Sequence, residues 1–120
     1  MKAATISGSL VLADAQRPWG AVIEASGELD ITGVPALRER LDAAMARGAQ
    51  RLLLDLTGIR FIDSVSLAAI VAAQRRLGDG GRLAIATSHP YVLLILEAGG
   101  LDSVIDVFSS RDEAEAALSG

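Results

Sequence analysis

The segment Arg51-Leu52-Leu53-Leu54-Asp55-Leu56 constrains this chain more than any other. It is short, almost wholly apolar, and followed by the turn residues Thr57 and Gly58. Such a run fits a strand buried on both faces, as in a parallel sheet, although leucine alone does not exclude a helix. The context favours the strand. Helical and strand-like segments alternate along the chain, with short connections. Strands alternating with helices imply βαβ units and right-handed crossovers.

Ahead of this run, Ser9 to Ala13 and Gly20 to Ser26 read as strands. Arg17-Pro18-Trp19-Gly20 between them favours a hairpin-type connection. Ala3 to Ser7 reads as a further short edge strand. The first helix follows Gly27-Glu28-Leu29-Asp30, with Thr32 as its N-cap and Pro35 in its first turn, where a missing N–H costs nothing. Val34, Leu37, Leu41 and Met45 share one face at helical spacing, and Gly48 is the stop. The second helix covers Ser64 to Leu77, with Leu67, Ile70, Val71 and Leu77 inward. Arg82 to Thr87 is the next strand. Ser88-His89-Pro90 opens a third helix carrying Val92, Leu93, Ile95 and Leu96, which stops at Gly99-Gly100. Val104 to Phe108 forms a last strand. Ser109 or Ser110 caps a final helix, Arg111 to Leu118, with Asp112 and Glu113 in its first turn, where the macrodipole favours them. The expected fold is α/β: one domain over residues 1–120 with its core in about 10–118. It has a mixed, mostly parallel sheet, an N-terminal antiparallel hairpin and about four helices.

Composition narrows the function. At 120 residues the chain has the size of one domain, and 51% apolar content is too high for disorder. Cysteine is absent, which removes disulfides and thiolate metal sites and fits a reducing compartment. The net charge is −4 with both signs interleaved, which argues against nucleic acid, whose phosphates demand clustered Lys and Arg. Met1 to Val11 lacks an apolar stretch long enough for a signal peptide. The apolar run Val92 to Leu96 is far short of the ~20 residues of a membrane-spanning helix. A cytoplasmic location without membrane insertion is the expectation. Oligomeric state stays open.

The stretch Asp55-Leu56-Thr57-Gly58-Ile59-Arg60-Phe61-Ile62-Asp63-Ser64-Val65-Ser66-Leu67 carries a resemblance. It is similar to the signature of the STAS domain family: a strand ending in Asp-Leu-Ser/Thr, a short apolar loop, then Asp-Ser-Ser/Thr-Gly-Leu opening a helix. Gly27-Glu28-Leu29-Asp30, Gly80-Gly81-Arg82-Leu83 and Leu96-Glu97-Ala98-Gly99-Gly100-Leu101-Asp102 resemble three further family segments in the same order. The resemblance spans about Leu10 to Leu118. It implies the anti-sigma factor antagonist type, a protein-binding module and not an enzyme. Such antagonists bind an anti-sigma factor that is also a serine kinase, and phosphorylation at the start of the second helix ends the association. A helix N-terminus tolerates a phosphate, and the added charge alters a docking surface.

The chain departs from the pattern at the switch itself. The family's phosphoacceptor position is Val65, which has no hydroxyl, and the following glycine is Ser66. Three readings are open. The protein is a permanently unphosphorylated binder, or the acceptor has moved to Ser66 or Ser64, or sigma-factor control has been left behind and only the binding surface kept. A step along a helix turns the side chain, so Ser66 is expected to point away from the position of Val65. The partner-binding surface implied by the resemblance comprises Asp30, Asp63, Ser64, Val65 and Ser66.

Structural roles compete for the same residues. Asp63 reads as a turn aspartate and Ser64 as the N-cap of the second helix. Asp30 matches a family aspartate beside the phosphosite and also reads as a turn or N-cap residue. His89 reads as a solvated loop residue, and without cysteine or a second histidine no metal set emerges. Gly78-Asp79-Gly80-Gly81 lacks the Gly-Lys-Ser/Thr ending of a P-loop and reads as a C-cap and turn. Ser64, His89 and Asp30 form a catalytic set only on paper, since no nucleophile-elbow motif is present. No cofactor is expected. Two other classes remain: an accessory STAS subunit of a membrane lipid-transport or transporter complex, and a nucleotide-binding or weakly hydrolytic domain.

Overall fold

Four leucines on one strand need cover on two sides, and the fold supplies it. A computed structural model describes residues 4–120. The elements are β1 (Ala4–Ser7), β2 (Leu10–Arg17), β3 (Gly20–Leu29), α1 (Val34–Ala46), β4 (Arg51–Ile62), α2 (Ser64–Leu77), β5 (Arg82–Ala86), α3 (Pro90–Ala98), β6 (Asp106–Phe108) and α4 (Arg111–Ser119). Short 3-10 turns at Ile31–Gly33 and Leu101–Ser103 precede α1 and β6. The six strands form one mixed sheet in the order β1-β2-β3-β4-β5-β6. The pairs β1–β2 and β2–β3 are antiparallel, and the other three are parallel.

Alternation along β4 explains the layers. Leu52, Leu54 and Leu56 join the larger core with Leu37 and Leu41 of α1, Leu67 and Ile70 of α2, and Val92 and Leu96 of α3. Leu53 faces the other way, into a smaller core with Val22, Ala84, Ala86 and, from α4, Ala114 and Leu118. Successive strand residues point to opposite faces, so a continuous apolar run needs helices on both.

The smaller core is reinforced by charge. Arg17 Nε donates to Glu115 Oε1 at 2.6 Å, and Arg111 Nε to Glu115 Oε2 at 3.0 Å. Arg111 also pairs with Glu24 and lies 3.6 Å from Asp55 Oδ2. The hydrogen bond from Arg17 holds the Glu115 carboxyl below the ordinary glutamate range. A carboxyl with a depressed folded pKa adds stability above its unfolded pKa and loses it as pH falls through the folded one. Acid should therefore weaken the seat of α4. In an NMR titration Glu115 should titrate below an exposed glutamate, and Arg17→Ala should raise its midpoint. A midpoint indifferent to Arg17 would show that the pair is not formed in solution.

Several expected boundaries need correction. β4 does not stop at Leu56. It runs on to Ile62, and β3 continues beside it to Leu29, so Gly27-Glu28-Leu29 is strand and not loop. The register between them slips at Glu24/Ser26 and at Gly27/Glu28, each time with an extra residue on β4. Asp55 supplies the reason for the first slip. Its Oδ1 accepts from Thr57 N at 3.0 Å and Thr57 Oγ1 at 2.7 Å, which diverts the Thr57 N–H from the ladder and makes a bulge. The turn chemistry of Thr57-Gly58 is real, but it bends a strand and does not end one. The last strand is Asp106–Phe108, shorter than expected, because Leu101–Ser103 coils into a 3-10 turn. Ala3 lies outside the described residues.

Candidate functional site

β3 and β4 run parallel and end side by side, with Leu29 opposite Ile62. Each is followed by an aspartate, so the topology sets Asp30 and Asp63 next to one another at the mouth of α2. Asp63 is extended and caps α2, its Oδ1 accepting from Ser66 N at 2.9 Å. Its Oδ2 accepts from Ile31 N at 3.0 Å, and its own N–H donates to Leu29 O at 3.2 Å. One side chain thus ties the start of α2 to the turn after β3. Asp30 Oδ1 accepts from Thr32 Oγ1 at 2.6 Å and Thr32 N at 3.0 Å. The Thr32 hydroxyl, then its N–H, holds the Asp30 carboxyl below the usual carboxylate range. Asp30 therefore stays ionised at neutral pH.

These bonds correct three assignments. Thr32 is not the N-cap of α1; it donates to Asp30, and Gly33 takes the cap position without a side-chain bond. Ser64 is not the N-cap of α2 but its first residue, with Asp63 in the cap and Ser64 exposed. Both residue types cap well, and here the carboxylate wins because it bonds Ile31 and Ser66 together. His89 is not merely a solvated loop residue. Its Nδ1 accepts from Tyr91 N at 3.2 Å and caps α3.

Ser66 is the largest departure. It is 0% exposed, and its Oγ donates to Leu29 O at 3.0 Å inside the protein. Ser66 is therefore not part of a partner-facing surface, and its hydroxyl does not face a kinase. Val65 beside it is 41% exposed. Around Asp63, then, the structure brings together Asp30, Ser64 and Val65 at the surface and turns Ser66 inward.

Sequence reasoning missed the apolar residues around this point. Phe61 and Tyr91 stack with ring centroids 5.8 Å apart and planes 15° from parallel. Ile31, whose N–H is held by Asp63, is exposed. A signal existed in α3, whose sequence Pro90-Tyr91-Val92-Leu93-Leu94-Ile95-Leu96-Glu97-Ala98 carries more apolar residues than one buried face requires, yet only Val92 and Leu96 are buried. Among the described residues no group of three or more His, Cys, Asp or Glu is placed to hold a metal ion. Of the residues Ser64, His89 and Asp30, Asp30 is bonded to Thr32 and His89 to Tyr91, each within its own turn. Among the described residues no helix is long and apolar enough to cross a membrane.

Residues 12–114 match the STAS domain family. The anti-sigma-F factor antagonist RsfB of Mycobacterium tuberculosis is 25% identical over 100 residues, 83% of this chain and 82% of that protein. An anti-sigma factor antagonist from Mycobacterium paratuberculosis has a crystal structure that superposes with a TM-score of 0.88 at 25% identity, covering 96% of this chain and all of the other. An anti-sigma-factor antagonist domain protein from Planctomyces limnophilus superposes with a TM-score of 0.77 at 27% identity, covering 89% of this chain and 96% of the other.

Proposed function

The chain belongs to the STAS domain family, and from that premise we propose that it is an anti-sigma factor antagonist-like regulatory protein whose phosphoserine switch is lost. Its partner on this reading is an anti-sigma factor that is also a serine kinase. The name of the M. tuberculosis relative supports the antagonist class. The observation that carries the lost switch is Val65, exposed in the first turn of α2 where the resemblance places the phosphoacceptor. The burial of Ser66 supports it, because the neighbouring hydroxyl is engaged with Leu29 O. Ser64 is then the remaining exposed hydroxyl of that turn. No observation favours a transporter subunit, and the relatives' names point the other way.

The experiment is a binding titration against anti-sigma factor kinases of the source organism, followed by kinase, ATP and intact-mass measurement. The wild type should bind one of them and gain no phosphate. Val65→Ser should gain one phosphate at residue 65 and bind more weakly once modified. A phosphate mapped to Ser64 in the wild type would overturn the lost switch, and no binding to any kinase would overturn the antagonist reading itself.

A further inference from the structure

The helix α4 is held differently from the other three. Among the described residues, none of α4 enters the larger core, which α1, α2 and α3 share. Its buried side chains are Ala114 and Leu118. α3 has the same nine-residue length but sets Val92 and Leu96 into the larger core. Apolar stabilisation scales with buried area, so α4 has the weaker apolar hold of the two. Charge supplies the rest. Arg111 occupies the first position of α4, where the macrodipole disfavours a cation. Carboxylates keep it there: Glu24 and Asp55 from the sheet, and Glu115 one turn on. In the middle of the helix, Arg17 of β2 pairs with Glu115. At the far end α4 has no basic residue in its last turn, and the sheet provides two. Arg51 Nη1 donates to Leu118 O and, at 3.2 Å, to Gly120 O, while Arg82 Nη1 donates to Ala117 O at 3.3 Å. Arg51 and Arg82 are register partners on β4 and β5. Like charges so placed repel, and the carbonyls at the negative end of the α4 dipole offset that repulsion.

We propose that α4 is an ionic clasp: it opens as a unit while the sheet and the larger core stay folded, and salt promotes the opening. Two features make the opening separate from global unfolding. The larger core contains no α4 residue and loses nothing when the helix leaves. A nine-residue helix is too short to persist alone in water, so α4 gives up its helical hydrogen bonds once detached. The ion pairs that oppose opening are within reach of dissolved salt, since the Arg111 and Glu115 side chains remain 25% and 24% exposed. The open form uncovers Val22, Leu53, Ala84 and Ala86 as an apolar strip and leaves Arg51 and Arg82 as adjacent cations. The clasp lies on the sheet face away from α2 and stands independently of the antagonist reading.

The test is amide hydrogen exchange of the full chain, followed by NMR at about 50 mM and about 1 M NaCl. At low salt the amides of residues 114–119 should be at least about tenfold less protected than those of β3 and β4. At high salt their protection should fall by about tenfold again, with β3 and β4 changing by less than about twofold. Arg111→Met keeps an apolar stem without the charge and should bring α4 close to its high-salt protection at low salt. Arg76→Met breaks the Arg76–Asp42 pair between α2 and α1 and should leave α4 unchanged. Protection of β3 and β4 in the same spectra shows that each variant is folded. If Arg111→Met loses that protection, the salt comparison on the wild type decides alone. Protection of α4 equal to that of β4 at both salt concentrations would overturn the separate opening. A less protected α4 that responds to neither salt nor Arg111→Met would overturn the ionic hold.

Discussion

Asp63→Ala should destabilise the fold by about 2 kcal/mol and weaken partner binding far more than its share of the surface suggests. The alanine loses the N-cap of α2 at Ser66 N and also leaves Ile31 N–H without its acceptor. Loss of a cap costs about 1 kcal/mol, and an orphaned backbone N–H adds a similar amount. On the proposed function the binding loss has a separate cause: without the Asp63 carboxylate only Ser66 Oγ and the residue 63 N–H, both bonded to Leu29 O, tie the end of β3 to the start of α2, and the Ile31 turn loses its direct bond to α2. Asp63→Asn should restore only the cap's share, about half of the loss, because its single carbonyl oxygen can accept from Ser66 N while its amide NH2 leaves the Ile31 N–H unpaired. Urea denaturation measures the first effect and calorimetric titration the second. A stability loss under about 0.5 kcal/mol would show that Asp63 is not the staple described.

Gly27→Ala should be severely damaging for the addition of a single methyl group. Gly27 has φ +97°, and a Cβ there would sit 1.9 Å from Ser9 O, a backbone atom of the turn just before β2 that has no rotamer to escape into. Gly48 has a similar φ of +93° with nothing within 4 Å of its would-be Cβ. The comparison separates two costs. Gly48→Ala carries the left-handed strain alone, about 1 kcal/mol, whereas Gly27→Ala adds the collision and should lose about 3–5 kcal/mol. Thermal melts of both variants give the difference, and equal losses would mean that the β1–β2 turn yields at Ser9.

The leucine run carried most of the fold in the sequence. Its shortness and continuous apolar character fitted a strand buried on both faces without excluding a helix, and the alternating segments around it favoured the strand and supplied the helices. What it concealed was the continuation past Thr57-Gly58. Those residues have turn chemistry, and only the Asp55 carboxylate, acting two residues back, makes that chemistry a bulge within β4. The site was legible to the level of residue types. Asp30 and Asp63 were visible, yet the choice between Asp63 and Ser64 as the cap depends on Ile31 N–H, a donor brought in by the parallel strands from 32 residues away. Ser66 was placed on the partner surface by the resemblance, although helix geometry already turned it away from Val65. Its burial depends on Leu29 O, whose position only the sheet register defines. Phe61 and Tyr91 were unremarked because their pairing joins β4 to α3 across the fold.

The strand order has a consequence for how the molecule comes into being. Each strand lies beside the one synthesised just before it, from β1 to β6. No strand must be inserted later between two that have already paired. Such a sheet grows at one edge in the direction of translation; its two antiparallel pairings close short loops, while the three parallel ones wait for a whole crossover and form more slowly. The exception is α4, which comes last yet reaches back through Glu115 to Arg17, 98 residues earlier. A nascent chain released before residue 111 therefore holds every strand but leaves Leu53 and Val22 uncovered, a half-finished state that only the final helix completes.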